Sequence, residues 1–227
     1  MLNPKRISKA DHIWLWENKC KHGHFYREHL NCLIKEDPQK SPLYERIGFV
    51  DTETVGLNAN WDYIISYAIY DERNDKMFGR VLTRAEVLDY KTLDKKLMFE
   101  FCRDVRNFDK IVVYWGKDRR HDIPFLRTRS LKWNAPFPLY REVKVADCYD
   151  IVRNKLNMNR RRLEGVCQFL GIEAKGHRLD FNKWQQAKLG HVPSLKYVWE
   201  HNKEDVISLC EVFNRLKGFV QKTDTTV

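Results

Sequence analysis

The chain has 227 residues, 43% of them hydrophobic and 32% charged, which reads as an ordinary soluble globular chain rather than a disordered one and leaves room for one sizeable core and a small appendage. Its 41 Lys and Arg against 31 Asp and Glu give a net charge of +10, which favours a polyanionic partner. No stretch approaches the roughly 18 consecutive apolar residues of a membrane span, and no apolar run follows Met1-Leu2-Asn3-Pro4-Lys5-Arg6, so neither membrane insertion nor a secretory signal is expected.

The first element is a short run, Ile13 to Trp16, whose two tryptophans need something to pack against. Behind it, Cys20, His22, His24, His29 and Cys32 fall within one polar segment. Two thiolates and two imidazoles are the usual donor set of tetrahedral zinc. The spacing predicts one structural zinc ion on Cys20, His22, His29 and Cys32, with His24 able to replace His22. A segment of 44 residues without a strong core also needs such a staple. The other four cysteines lie in apolar surroundings and read as core residues, so a reducing intracellular compartment, cytoplasmic or nucleoid-associated, is expected rather than a disulfide framework. Lys35 to Pro42, with two prolines, reads as a linker.

Ile47 to Glu53 then alternates as a strand, with Ile47, Phe49, Asp51 and Glu53 on one face and Gly48, Val50 and Thr52 on the other. Two acids leaving a buried strand on the same side repel unless a cation sits between them, and hard divalent ions suit such oxygens. Gly56 reads as the turn that ends the strand. Tyr63–Tyr70 and Met77–Val81 read as an antiparallel pair joined by the loop 71–76. A single helix is predicted from Val87 to Phe108, with Leu88, Leu93, Leu97, Met98, Phe101, Cys102, Val105 and Phe108 inward. Lys110 to Gly116 is a buried strand, followed by a basic loop and a helix start at His121 to Leu126, where Pro124 suits the first turn. Glu142 to Ala146 is strand-like, Leu163 to Leu170 is a helix closed by Gly171, and Phe181 to Ala187 is a short helix. Ser194 to Val220 is a long helix with Leu195, Val198, Val206, Leu209, Phe213 and Leu216 inward, placing His201 and Asp205 on one face. The order predicts an α/β fold: a mixed sheet flanked by helices.

Three ordered motifs carry a resemblance. Phe49-Val50-Asp51-Thr52-Glu53-Thr54 with Gly56 is the first. Tyr114-Trp115-Gly116 followed by His121-Asp122-Ile123-Pro124-Phe125-Leu126 is the second, and His201-Asn202-Lys203-Glu204-Asp205-Val206 with Leu209 is the third. Together they resemble the DEDD superfamily of 3′–5′ exonucleases on the ribonuclease H-like fold, in its tyrosine-spaced branch. Leu163-Glu164 ahead of Phe169-Leu170-Gly171-Ile172 also resembles the linking helix of family B DNA polymerase proofreading domains and of their stand-alone bacterial and archaeal relatives. The resemblance runs from residue 46 to about 218 and has two departures: histidine at the tyrosine position, and Trp115 where asparagine is frequent.

The resemblance implies a two-metal phosphodiester hydrolase with two Mg²⁺ or Mn²⁺ ions on Asp51, Glu53, Asp122 and Asp205, with His201 orienting or deprotonating the attacking water. The implied substrates are single-stranded DNA ends; an exoribonuclease or structure-specific nuclease on the same fold, and a non-catalytic nucleic-acid-binding protein, are the alternatives. Basic side chains near the motifs are the candidate phosphate contacts: Lys117, Arg119, Arg120, Arg127 and Arg129, and the group Arg160, Arg161 and Arg162 with Arg153 and Lys155. Trp115, Tyr149 and Trp184 are candidate stacking platforms, and Asp147 and Asp150 candidate supporting or turn-capping acids. The expected organisation is a zinc-binding module and linker at 1–44, a ribonuclease H-like domain at 45–220 and a flexible tail at 221–227.

Overall fold

The computed structural model describes residues 9–36, 45–172, 180–219 and 225–226. The chain divides into two compact units, Met1–Glu45 and Arg46–Val227.

The first unit has two short helices, α1 (Lys9–Glu17) and α2 (Leu30–Glu36), joined by a turn that an antiparallel bridge between Lys19 and Phe25 closes. Its interior is small: Leu15, Cys20, Cys32 and Leu33 are buried, Trp14 stacks on Tyr26, and Trp16 stays exposed under the Arg27 guanidinium. A core of this size cannot offset the chain entropy of ordering the segment, which is why covalent or metal staples recur in such units. Most of the predicted linker lies outside the described residues; Lys35 and Glu36 close α2.

In the second unit, β1 (Ile47–Thr54), β2 (Ile64–Asp71) and β3 (Lys76–Val81) form an antiparallel meander, and β4 (Lys110–Val113) and β5 (Lys144–Asp147) extend it in parallel on the other side of β1. Of the segment 221–227, read from sequence as a flexible tail, only Thr225–Thr226 fall among the described residues; they form the edge strand β6, antiparallel to β5. The sheet order is β3-β2-β1-β4-β5-β6.

Helices cover both faces, so the central strands are apolar on both sides. Val50, Tyr67, Ile69, Ile111, Val113 and Val145 face the helices α3 (Arg84–Leu88), α4 (Lys95–Asp104) and α5 (Asp122–Trp133). Phe49, Ala68, Val112 and Ala146 face the other way, against α6 (Cys148–Lys155), α7 (Leu163–Leu170) and α9 (Val192–Leu216). The short α8 (Phe181–Lys188) packs beside α9. Gly171 closes α7 at φ 63°, a left-handed cap that costs glycine nothing.

The single helix predicted over 87–108 is two helices. A capping box between Thr83 and Glu86 starts α3, and Leu88 is exposed at its end. The chain then turns through Leu93 at φ 36° so that Asp94 can enter the core. There its carboxylate accepts from the Ile64 amide (3.0 Å), Arg129 Nη2 (2.6 Å) and Trp133 Nε1 (2.7 Å). Apolar periodicity cannot announce this break, because the partners of Asp94 come from β2 and α5. The same bonds correct the reading of Arg129 as a phosphate contact: it is 1% exposed and spent on Asp94. Removing one partner of such a pair leaves a buried, uncompensated charge, at a cost of about 3–5 kcal/mol.

Candidate active site and metal centres

β1 carries its acids on the face turned to α9, as period two requires. On that face, Glu53 meets His201 and Asp205, which share a face of α9 one turn apart. One ligand atom from each of the three lies within 4.8 Å of the others. His201 Nε2 stands 3.4 Å from Asp205 Oδ2 and 3.7 Å from Glu53 Oε1.

Asp51 is held by a residue that the motif reading assigned no role. Asn202 is fully buried; its Nδ2 donates to Asp51 Oδ2 (2.6 Å) and its Oδ1 accepts from Ser66 Oγ (2.9 Å). Ser66 sits across the sheet from Glu53 and is itself fully buried. The hydroxyl fixes which way the amide points, and the amide fixes one carboxylate oxygen. A sequence signal existed: Asn202 interrupts the buried stripe Leu195, Val198, Val206, Leu209, and a polar residue in such a stripe needs a dedicated partner.

Asp122 reaches the site from the opposite side of β1. It is the first residue of α5, not its N-cap, and its Oδ1 accepts from Thr52 Oγ1 (2.5 Å). Burial, then the Asp51 carboxylate, push its carboxyl well above the usual carboxylate range. Asp122 stands outside the Glu53–His201–Asp205 triple and is coupled to the site through the charge of Asp51. Thr54 gives a second link across the same interface: its hydroxyl donates to Gly56 O (2.7 Å) and accepts from His121 Nε2–H (3.0 Å). Burial lowers the pKa of His121, which favours the neutral imidazole.

The loop ahead of Asp122 is shaped by Asp147, at the end of β5. This buried carboxylate accepts from the amides of Trp115 (2.9 Å), Gly116 (3.1 Å) and Lys117 (3.1 Å), caps α6 through Tyr149 N (2.9 Å) and pairs with Arg120 (2.6 Å). Gly116 must be glycine, because an added Cβ would lie 2.3 Å from Asp122 Oδ2. Asp147 therefore organises the turn that presents Asp122.

The candidate phosphate contacts divide. Arg120 is tied to both Asp147 and Asp150 and lies over the Tyr149 ring, so it locks the loop instead of facing solvent as an open phosphate contact. Arg127 pairs with Asp118 (3.0 Å), and Lys117 lies 3.9 Å from Asp150. Trp115 is half exposed and Arg119 is exposed, both with positive φ. Arg160, Arg161 and Arg162 line one basic cavity of about 410 Å³, where Arg161 Nε is anchored on Met158 O (3.0 Å). Trp184 packs on the core and is no open platform.

A family model described as the RNase_H superfamily matches residues 48–217. The chain belongs to the RNase_H superfamily. The match spans all three motifs, and membership points to a nuclease-type activity on nucleic acid. No curated protein matches the chain.

Nucleases of the superfamily generally use divalent metals. The donor set suits them: carboxylates of Glu53 and Asp205 converge with one imidazole, next to Asp51 and Asp122, and the cost of charging Asp122, from burial first and then from the Asp51 carboxylate, is what a cation would relieve.

The second candidate centre lies within the first unit. Cys20, His22, His29 and Cys32 each offer a ligand atom within 4.8 Å of the others. The S···N separations are 3.8 and 3.5 Å from Cys20, and 3.2 and 3.3 Å from Cys32, to His22 and His29 Nδ1 in turn. A tetrahedron with Zn–S and Zn–N bonds of about 2.3 and 2.05 Å has S···N edges of about 3.5 Å. His24, which the spacing left open as a ligand, instead sets its ring edge-on to His29 and lends its carbonyl to the Cys20 amide.

Proposed function

We propose that this chain is a metal-dependent 3′–5′ exonuclease of the DEDD type acting on single-stranded ends. The convergence of Glu53, His201 and Asp205 beside the pinned Asp51 carries this reading, because a polyanion-binding surface alone gains nothing from carboxylates gathered on one spot. The ions would be Mg²⁺ or Mn²⁺, held by Asp51, Glu53 and Asp205 with Asp122 acting from across β1; when bound, they would neutralise the phosphate and activate water. In the reaction, the oxygen of water bonds to phosphorus and the bond from phosphorus to O3′ of the strand breaks. The strand keeps a new 3′-hydroxyl, and the released nucleotide keeps its 5′-phosphate. His201 Nε2, facing the carboxylates, takes the proton of the attacking water. Lys117, Arg119, Arg127 and the cavity of Arg160, Arg161 and Arg162 hold the strand by its backbone, giving affinity that falls with salt, and Trp115 offers a face on which a base stacks. The Cys20–His22–His29–Cys32 cluster holds one structural Zn²⁺, which supplies the fold energy that the first unit lacks.

The test is degradation of DNA and RNA oligonucleotides labelled at either end, with Mg²⁺, Mn²⁺ or EDTA. A ladder shortening from the 3′ end only with metal is expected; no product with either metal and either sugar overturns the reading.

A further inference from the structure

The cleft between α8 and α9 opens on the same His201 that faces the acidic cluster. It measures about 480 Å³, within the roughly 300–1,000 Å³ of small-ligand sites, and Lys183, Gln186, His191, Ser194 and Tyr197 are among its lining residues. Tyr197 lies four residues before His201 on α9, so a group resting on its ring is one helical turn from the histidine. Its ring face now carries the Lys183 ammonium, with Nζ 4.0 Å from the centroid.

The back wall is a fixed relay. Ser194, 2% exposed, donates from Oγ to Gln186 Oε1 (2.9 Å), so it can only accept from the ring nitrogen Nδ1 of His191, 2.8 Å away. That sets both ends. The Gln186 amide has its oxygen taken and its NH₂ left as a donor, and His191 has Nδ1 protonated and Nε2 left as an acceptor. Among the described residues neither of these two groups makes a hydrogen bond. A donor and an acceptor at the two ends of this relay, lining one cleft with an aromatic ring and an exposed ammonium, match the polar edge, face and phosphate of a nucleotide. Each base has an edge with an acceptor beside an N–H, so the relay can engage all four without choosing among them.

Resting on the nuclease reading above, we infer that this cleft seats the terminal nucleotide: its base lies on Tyr197 with its polar edge toward Gln186 and His191, and its phosphate draws Lys183 off the ring. The pocket would then place the terminal residue so that the adjoining phosphodiester faces His201.

Calorimetric titration of the full chain with dAMP, dCMP, dGMP and dTMP, in EDTA, reads this site without hydrolysis. All four should bind, and deoxyribose 5-phosphate should bind much more weakly. Tyr197→Ala should weaken each nucleotide about tenfold or more, as for a lost base–aromatic stack. Gln186→Ala, at an exposed position of α8, should weaken them less with an unchanged unfolding transition, and it carries the test if Tyr197→Ala fails to fold. Nucleotide affinities equal to wild type in Gln186→Ala and in a folded Tyr197→Ala, or deoxyribose 5-phosphate binding as tightly as the nucleotides, overturn the inference even if oligonucleotides are degraded normally. Nucleotide binding that depends on Tyr197 and Gln186 in a protein that hydrolyses no oligonucleotide leaves the base site standing and removes the nuclease reading.

Discussion

The two candidate metal centres are built in opposite ways. The Cys/His centre takes its four donors from residues 20 to 32, gathered by one turn and the first turn of α2. The acidic centre takes Glu53 from β1 and His201 and Asp205 from α9, and it is surrounded by groups that position its carboxylates: Asn202 and Ser66 on Asp51, Thr52 on Asp122, Asp147 on the loop beneath. A local centre needs only the chain's reach and lends stability to the segment around it. A centre assembled from distant elements must instead be prepared by a core that is already folded, and the like charges it gathers are a cost which that core carries. The first is therefore expected to matter for folding and the second for chemistry.

The largest effect tests the acidic side. Asp51→Ala should abolish hydrolysis while binding of an oligonucleotide in metal-free buffer is kept or slightly improved, because one repelling charge is gone; activity within tenfold of wild type, read on the 3′-end ladder, would remove Asp51 from the chemistry. His201→Ala should come next, with a loss of about 10²–10⁴ in kcat, the range of a missing general base, and little change in metal affinity. His201→Tyr should recover part of that loss if the tyrosine-spaced geometry is retained, and an unchanged kcat in the alanine variant would make the histidine a bystander.

Asn202→Ala sharpens the comparison, since it removes no ligand. It should weaken Mn²⁺ binding by about 10–100-fold, the usual cost of losing a group that orients a ligand, and a calorimetric titration measures this apart from turnover. Restored activity at high Mn²⁺ would support the positioning role, whereas a lowered unfolding temperature with normal Mn²⁺ affinity would mean that Asn202 only fills the core. The smallest effect on hydrolysis should come from the other centre. Cys32→Ser should lose the tightly bound zinc, seen as less than about half an equivalent by elemental analysis, and make residues 9–36 sensitive to protease. The rate on oligonucleotides should stay at the wild-type value, and a parallel loss of activity would mean that the first unit takes part in substrate handling.

Much of this was legible from residue order, and the reasons are particular. Asp51 and Glu53 share a face because a strand repeats every two residues, and His201 and Asp205 share one because a helix returns every 3.6. Cys20, His22, His29 and Cys32 announced themselves by donor type within one short segment. The alternation of apolar runs predicted strands β1 to β5 and a mixed sheet, and Gly171 marked a helix end. These features depend on neighbours along the chain, so a one-dimensional pattern contains them.

What only the tertiary structure decided is where polar groups find partners far away in sequence. Asp94 breaks the helix predicted over 87–108 because its bonds come from Ile64, Arg129 and Trp133. Arg129 and Arg120 look like phosphate contacts in a basic chain, yet one is buried on Asp94 and the other is held by Asp147 and Asp150. Asp122 lies across β1 from the triple it was grouped with, tied to Thr52. Composition sets how many charges a chain carries; each buried one must then be matched within hydrogen-bond distance, and only the fold determines which residue does so.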